Sequence, residues 1–297
     1  MSIASVHCDL IGTETRFYQT PNYRTRAIEV ANGRMPLILM HGGGGHAEAY
    51  SRNLIPLSEF SQPMAIDFIW HGLSSRPKFW DGAPRSGRHW LNQFTAQVLE
   101  FLDAKGIDKA VFEGESLGGW IVADLGINHP DRVAGLVLNT AWGLTLDPAE
   151  VKELKGDYEA LRLSSLEALN NPSRETIRKR MEWLMPFGDV TDEIIEIRRR
   201  IWSIPETRAA LTEYYNRLFE PATDRALFNE EDLARIRAKT LVLWTSHNPI
   251  LGADAAWRIG KIIEDSSVVI IDRAGHWPQW EKPGEYNQAM RQFIGSL

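Results

Sequence analysis

The sequence predicts an α/β fold, a mostly parallel sheet flanked by helices, and two observations carry that prediction. Six short apolar runs, at residues 37–40, 64–69, 110–113, 133–138, 240–244 and 268–271, recur with helix-length amphipathic stretches between them. Apolar runs of that length without polar alternation are strands covered on both faces, as in a sheet sandwiched by helices. Between residue 145 and about 223 the strand signal stops, and the chain becomes charged and helical, with breakers at Pro148, Pro172, Pro186, Pro205 and Pro221. This stretch reads as a helical cap inserted into the sheet domain, dividing the chain into core 1–144, cap 145–223 and core 224–297. No internal repeat, low-complexity tract or flexible linker separates the parts, so cap and core are expected to pack as one unit.

Composition bounds the function. The 297 residues are 43% hydrophobic and 24% charged, which excludes disordered, collagenous and coiled-coil chains. A chain of this size hides about three quarters of its surface on folding, enough for one large domain. Its 33 basic and 39 acidic residues give a net charge of −6 with neither sign gathered into a run, so there is no electrostatic footprint for nucleic acid. Small molecules or protein are the expected partners, and a homodimer stays open. Cys8 is the only cysteine, which excludes an intrachain disulfide and fits a reducing compartment. With no basic, apolar leader at the N-terminus and no stretch near the ~20 apolar residues that span a bilayer, a cytoplasmic location away from membranes is expected.

The chemistry-bearing segments follow the strands. After the run at 37–40 comes His41-Gly-Gly-Gly-Gly45-His46, a stretch free of side chains whose backbone N–H groups can face a developing oxyanion. A phosphate-binding loop is the rival reading, but neither Gly-Lys-Ser/Thr nor G-x-G-x-x-G opening a helix is present. The run at 110–113 leads into Gly114-Glu-Ser-Leu-Gly118-Gly119 and then a helix-like stretch, which is G-x-S-x-G in a strand–turn–helix setting. Such a turn pushes the Ser116 hydroxyl out of the sheet edge as a nucleophile, with oxyanion donors expected from Gly43 and Leu117. After the last run, at 268–271, His276 sits on the loop at the same sheet edge and is expected to act as base toward Ser116. His7, His89 and His129 read as structural, and no histidine pattern suits zinc, so neither metal nor cofactor is expected. Within the cap, Ile194, Ile195, Ile197, Ile201 and Trp202 form one apolar helical arc with Arg198 inside it. A guanidinium on a buried face needs a partner, and periodicity leaves open a substrate carboxylate, an ion pair with a protein carboxylate or a side chain snorkelling out of the cap.

In chain order, these segments resemble the α/β-hydrolase superfamily over nearly the whole sequence. The loop Asp67-Phe-Ile-Trp-His71-Gly-Leu-Ser74 resembles one of its loops too, with Trp70 where glycine is usual. The combination of HGGGG, GESLGGW, the cap segments 171–177 and 191–195, and GHWPQWE is similar to the meta-cleavage product hydrolases. Those enzymes cut a carbon–carbon bond in 2-hydroxy-6-oxo-2,4-dienoates from aromatic ring degradation. The resemblance implies a small, acidic, conjugated substrate held by Arg198 and Trp277, with Gly42 and Glu115 as further contacts, and a structural role for Glu281. Trp183, Trp202, Tyr214 and Tyr215 are candidates for the remaining pocket wall.

One position departs from the pattern. The residue matching the family's triad aspartate, after the run at 240–244, is Asn248. An Asn carbonyl can orient imidazole but cannot balance imidazolium, and in a serine protease that exchange costs roughly 10⁴ in turnover. Three accounts follow: another carboxylate such as Asp147 or Asp254 substitutes, the dienol chemistry demands less of the histidine, or the chain binds a ligand or runs a non-hydrolytic reaction. An esterase, lactonase or amidase acting on a carboxylate-bearing substrate is the rival enzyme class.

Overall fold

The computed structural model describes residues 5–144 and 155–297. Eight strands form one sheet: β1 (Glu14–Gln19), β2 (Arg24–Glu29), β3 (Pro36–Met40), β4 (Gln62–Ile66), β5 (Ala110–Glu115), β6 (Val133–Asn139), β7 (Thr240–Thr245) and β8 (Ser266–Ile271). Their spatial order is β1-β2-β4-β3-β5-β6-β7-β8. The six apolar runs become β3 to β8, all parallel. The first two strands carry no such run: β1 pairs antiparallel with β2, and β2 antiparallel with β4. β1 is mostly exposed, and β2 buries Arg26 and Glu29 alongside Ala27 and Ile28. Ion pairs make that burial tolerable: Arg26 meets Asp67 at 3.0 Å, and Glu29 meets Lys105 at 2.8 Å.

Helices cover both faces: α1 (Ser51–Ser58), α2 (Asn92–Lys105), α3 (Leu117–Asn128), α8 (Ala253–Ile262) and α9 (Pro283–Ile294) among them. Between β6 and β7 lie α4 (Lys155–Asn170), α5 (Arg174–Leu184), α6 (Asp192–Ser203) and α7 (Pro205–Leu218). Their starts follow local chemistry. The Ser173 and Thr191 hydroxyls accept the Thr176 and Ile194 N–H groups, and Pro205 opens α7 at the position where its missing N–H costs nothing.

The topology places the functional loops. The chain runs from β3 to β4 on one side, then crosses to β5 on the other side of β3, so the loops after β3 and β5 leave a crevice at the carboxyl edge. The loop after β8 starts three strand spacings from β5, about 14 Å away. It is drawn back over the sheet by the Thr245 hydroxyl donating to Gly275 O at 2.6 Å and the Thr140 hydroxyl donating to His276 O at 3.0 Å.

Trp70 occupies its loop with φ of +66°, a left-handed conformation costly for a large side chain. Its ring is fully buried and stacks on Phe79 with centroids 3.9 Å apart, while Nε1–H donates to Pro77 O at 2.8 Å. That packing stands in for the glycine expected there.

Beneath the crevice lies Glu113, fully buried on β5, accepting from Asn139 Nδ2 at 2.8 Å. Burial pushes its carboxyl up to about 8. The folded chain therefore keeps a proton there that the unfolded chain loses near the ordinary value of 4.5, so stability falls as pH rises from about 5 to 8. Glu113→Gln removes this slope: in urea melts between pH 5 and 8.5 the variant gains on the native chain as pH rises. Parallel stability curves for the two proteins would rule the assignment out.

Candidate active site

Ser116 has φ of +53° and ψ of −114°, the strained turn expected between β5 and α3. Its neighbours make room for that turn. A Cβ on Gly118 would lie 2.3 Å from Met40 O, and one on Gly42 would lie 2.5 Å from the Glu115 carboxylate and 2.8 Å from Ser116 Cβ. The glycine loop and the elbow thus touch at backbone distance. The N–H groups of Gly43 and Leu117, the expected oxyanion donors, have no backbone acceptor among the described residues, and both residues line the cavity beside Ser116. Preorganised donors of this kind contribute roughly 3 kcal/mol each toward a developing oxyanion.

His276 is 3% exposed and fixed from several sides. Its N–H donates to Leu184 O at 2.7 Å. Glu281 accepts the N–H groups on either side of it, Gly275 at 2.8 Å and Trp277 at 3.3 Å, and with its other oxygen takes Phe187 N–H at 3.1 Å. The structural role expected of Glu281 is this clasp on the histidine loop. On the imidazole, Nδ1 lies 2.9 Å from Asn248 Oδ1. The same oxygen accepts Ile250 N–H at 3.2 Å, and because a backbone nitrogen only donates, the atom facing His276 is the amide oxygen. Nδ1 therefore carries the proton and Nε2 points into the site.

The carboxylate near Nε2 is neither of the two that the sequence suggests. Asp254 is exposed in the first turn of α8, and Asp147 lies outside the described residues. Glu115 is fully buried, with Oε1 3.1 Å from His276 Nε2 and Oε2 accepting Gly42 N–H at 2.6 Å. Among the described residues the Ser116 hydroxyl has no hydrogen-bond partner.

The helices between β6 and β7 close over this arrangement. Tyr215 donates to Gly43 O at 3.1 Å, and Trp202 Nε1–H donates to Gly44 O at 3.1 Å. Tyr214 and Tyr215 line the cavity with Leu161, Leu184, Phe219 and Trp277. Trp183 does not: it is 40% exposed, on a neighbouring surface depression. Arg198 is fully buried, as its place in the apolar arc implies, against the Trp277 and Trp202 rings at 4.8 and 5.7 Å from their centroids. None of its three nitrogens has a hydrogen-bond partner, and burial lowers its guanidinium to about 10. It is not among the residues lining the cavity; the cation there is Arg180, 4% exposed, whose Nη2 donates to Tyr215 Oη at 3.0 Å while Nε and Nη1 are unpaired. Sequence reasoning missed Arg180, although it sits in the apolar arc Ile177, Met181, Leu184 as Arg198 sits in its own. His41 and His71, buried beside the glycine loop, are both pushed down to about 3 by burial and stay neutral. No cluster of histidine, cysteine and carboxylate side chains suited to a metal exists among the described residues.

An elbow serine, paired free N–H donors and a loop histidine at the carboxyl edge of a mostly parallel sheet define an α/β hydrolase. The chain belongs to that family: the alpha/beta hydrolase fold matches residues 35–283. Its resemblance to meta-cleavage product hydrolases extends over most of its length. It is 25% identical over 266 residues to 2-hydroxy-6-oxo-2,4-heptadienoate hydrolase of Pseudomonas putida, covering 88% of this chain and 89% of that one. It is 26% identical over 269 residues to 2-hydroxy-6-oxo-6-phenylhexa-2,4-dienoate hydrolase of Comamonas testosteroni, covering 87% of each. The solved structure of the Rhodococcus enzyme named for that phenyl dienoate shares the fold, with a TM-score of 0.78 at 21% identity, covering 95% of this chain and 99% of that one.

The clasp on the histidine loop predicts that Glu281→Ala, which strands the two buried N–H groups of Gly275 and Trp277 and the half-buried one of Phe187, destabilises the protein by about 3 kcal/mol. Chemical denaturation checks this, and a loss under about 0.5 kcal/mol, the range of ordinary surface changes, would contradict the assignment.

Proposed function

We propose that this chain is a serine-dependent hydrolase cleaving the C5–C6 bond of a 2-hydroxy-6-oxo-2,4-dienoate, or a close analogue, produced by cleavage of an aromatic ring. The observation that carries this reading is electrostatic. Two buried guanidiniums, Arg180 on the wall of the cavity that holds Ser116 and His276 and Arg198 packed behind that wall against Trp277, carry five unpaired nitrogens between them, three on Arg198 and two on Arg180. Unpaired buried cations are costly, and a substrate carboxylate completes them. Full-length relatives named as dienoate hydrolases support the same reaction class.

The roles then follow from position. Arg180 meets the acid end of the substrate and Arg198 adds positive charge from behind the wall, with the conjugated chain lying along Trp277. The C6 carbonyl sits at Ser116 with its oxygen on the Gly43 and Leu117 N–H groups. Oγ adds to C6, the C5–C6 bonding pair flows into the conjugated 2-oxo system, and water hydrolyses the resulting acyl ester on Ser116 with His276 moving the protons. Asn248 orients the imidazole without balancing its charge. Because Asn248 is neutral and Ser116 has no hydrogen bond to His276, a non-hydrolytic ligand-binding protein on the same fold is the second reading.

The test is the decay of the coloured dienolate absorbance for a series of 6-substituted 2-hydroxy-6-oxo-2,4-dienoates. Native protein should consume at least one, Ser116→Ala should bind it with turnover down at least 10³-fold, and Arg180→Met or Arg198→Met should each raise KM at least tenfold. Binding without decay by the native protein would shift the assignment to the ligand-binding reading. Turnover of activated esters in the absence of any dienolate decay would establish an esterase instead.

A further inference from the structure

Tyr214 brings to the site a hydroxyl that the fold does not use. Its ring, on α7, is caged by aromatic neighbours, with the centroids of His71 and Tyr215 each 5.0 Å away, Trp90 at 5.7 Å and Phe94 at 6.3 Å. A phenylalanine would satisfy that cage equally well. What tyrosine adds is an oxygen at the glycine loop: a Cβ on Gly43 would lie 2.5 Å from Tyr214 Oη, closer than side chains approach one another. The phenol thus fills the space that any side chain at position 43 would need. The two adjacent tyrosine hydroxyls differ in what they do. Tyr215 donates to Gly43 O at 3.1 Å, whereas Tyr214 Oη has no hydrogen-bond partner among the described residues and, with Gly43, Ser116 and Leu117, lines the cavity. The neighbouring His71 Nε2 is unpaired as well, so the hydroxyl is not directed there. A buried hydroxyl left without a partner costs free energy that a bound ligand can return. Burial, with Tyr215 and Glu115 nearby, holds the Tyr214 pKa well above the ordinary 10, so the phenol keeps its proton and is available as a donor.

Resting on the reading of Ser116 as nucleophile, we propose that the Tyr214 hydroxyl is a third donor to the oxyanion, completing with the Gly43 and Leu117 N–H groups the cradle for the substrate's reacting carbonyl oxygen. The argument is one of place. Gly43 supplies both the N–H group expected at the oxyanion and the Cα beside which Tyr214 Oη stands, so an oxygen held by that N–H comes within reach of the phenol. As Ser116 Oγ adds to the carbonyl carbon, the C=O π pair moves onto oxygen, and the contact from the phenol O–H strengthens with that charge while its proton stays on Tyr214. A donor aimed at charge that develops only in the transition state acts on turnover more than on substrate binding. Asn248 adds no charge behind the imidazolium, so more of the stabilisation of the tetrahedral species falls to the oxyanion side of the site. Two of the donors come from the sheet domain, and α7 supplies the third.

The test removes the oxygen alone, comparing Tyr214→Phe with native protein. Because the hydroxyl has no partner in the fold, the variant should unfold at the same urea concentration as native protein or a higher one. Phosphonylation of Ser116 by a fluorophosphonate, which builds charge on a phosphoryl oxygen in the same cradle and needs no dienoate, should slow about 100-fold. With any 2-hydroxy-6-oxo-2,4-dienoate that the native protein consumes, kcat should fall by a similar factor while KM stays within about threefold. In a Ser116→Ala background, where no oxyanion forms, adding Tyr214→Phe should leave the dissociation constant of that dienoate unchanged within the same margin. Labelling of Tyr214→Phe at the native rate, a raised KM with kcat intact, or unfolding at a lower urea concentration would overturn the inference, as would a native Ser116 that the fluorophosphonate does not label. If native protein consumes no dienolate while labelling slows in Tyr214→Phe, the third donor stands and the dienoate assignment falls.

Discussion

A single hydrogen bond, from His276 Nδ1–H to Asn248 Oδ1, decides what the rest of the site can do. It fixes the tautomer, and the tautomer fixes that Nε2 is the nitrogen facing Glu115 and the cavity. An aspartate there would add negative charge behind the imidazole and favour imidazolium during serine attack. The amide supplies direction alone. In front of the ring the only carboxylate within ion-pair distance among the described residues is Glu115. The clasp by Glu281 and the two threonine hydroxyls matters because this geometry tolerates little drift: the loop must bridge three strands and still hold the ring to a few tenths of an ångström.

The cavity's electrostatics are as unusual as its triad. Arg180 and Arg198 share a wall built from Trp202, Tyr215 and Trp277, each ring contributing a π face and none a full counter-charge. Cation–π contacts of this kind offset part of the desolvation cost and leave the guanidinium edges free. One end of the site is thus positively biased, while Glu115 and His276 stand at the other.

Most of the architecture was legible because its signals are local. Continuous apolar runs announced β3 to β8, prolines bounded the helices between β6 and β7, and the glycine runs at 42–45 and 118–119 marked backbone crowding. β1 and β2 were not legible: their side chains are polar, and β2 is buried through ion pairs to Asp67, Glu48 and Lys105 that lie far away in sequence. Trp70 hid its loop's left-handed turn for a similar reason, since Phe79 supplies the compensation. At the site, Ser116, His276, Gly43 and Leu117 follow from strand ends, which sequence reveals. That Glu115 points at His276 depends on how the turn at Ser116 swings its neighbour inward, and Arg180 follows Arg178 and Lys179 directly in sequence, so charge alone does not single it out.

The two hydrogen bonds that Trp202 and Tyr215 make to the carbonyls of Gly44 and Gly43 tie the oxyanion loop to α6 and α7. Those helices are therefore a brace as well as a roof. A wholesale lifting of them would pull on the peptide units next to the one whose N–H must stay aimed at the substrate oxygen, so rigid-body opening and a preformed oxyanion site are mechanically opposed. Traffic is better served from the flank, where Leu161 and Arg180 border both the inner cavity and the outer depression. A guanidinium at that threshold meets an incoming acid first, which makes selection by charge precede selection by shape.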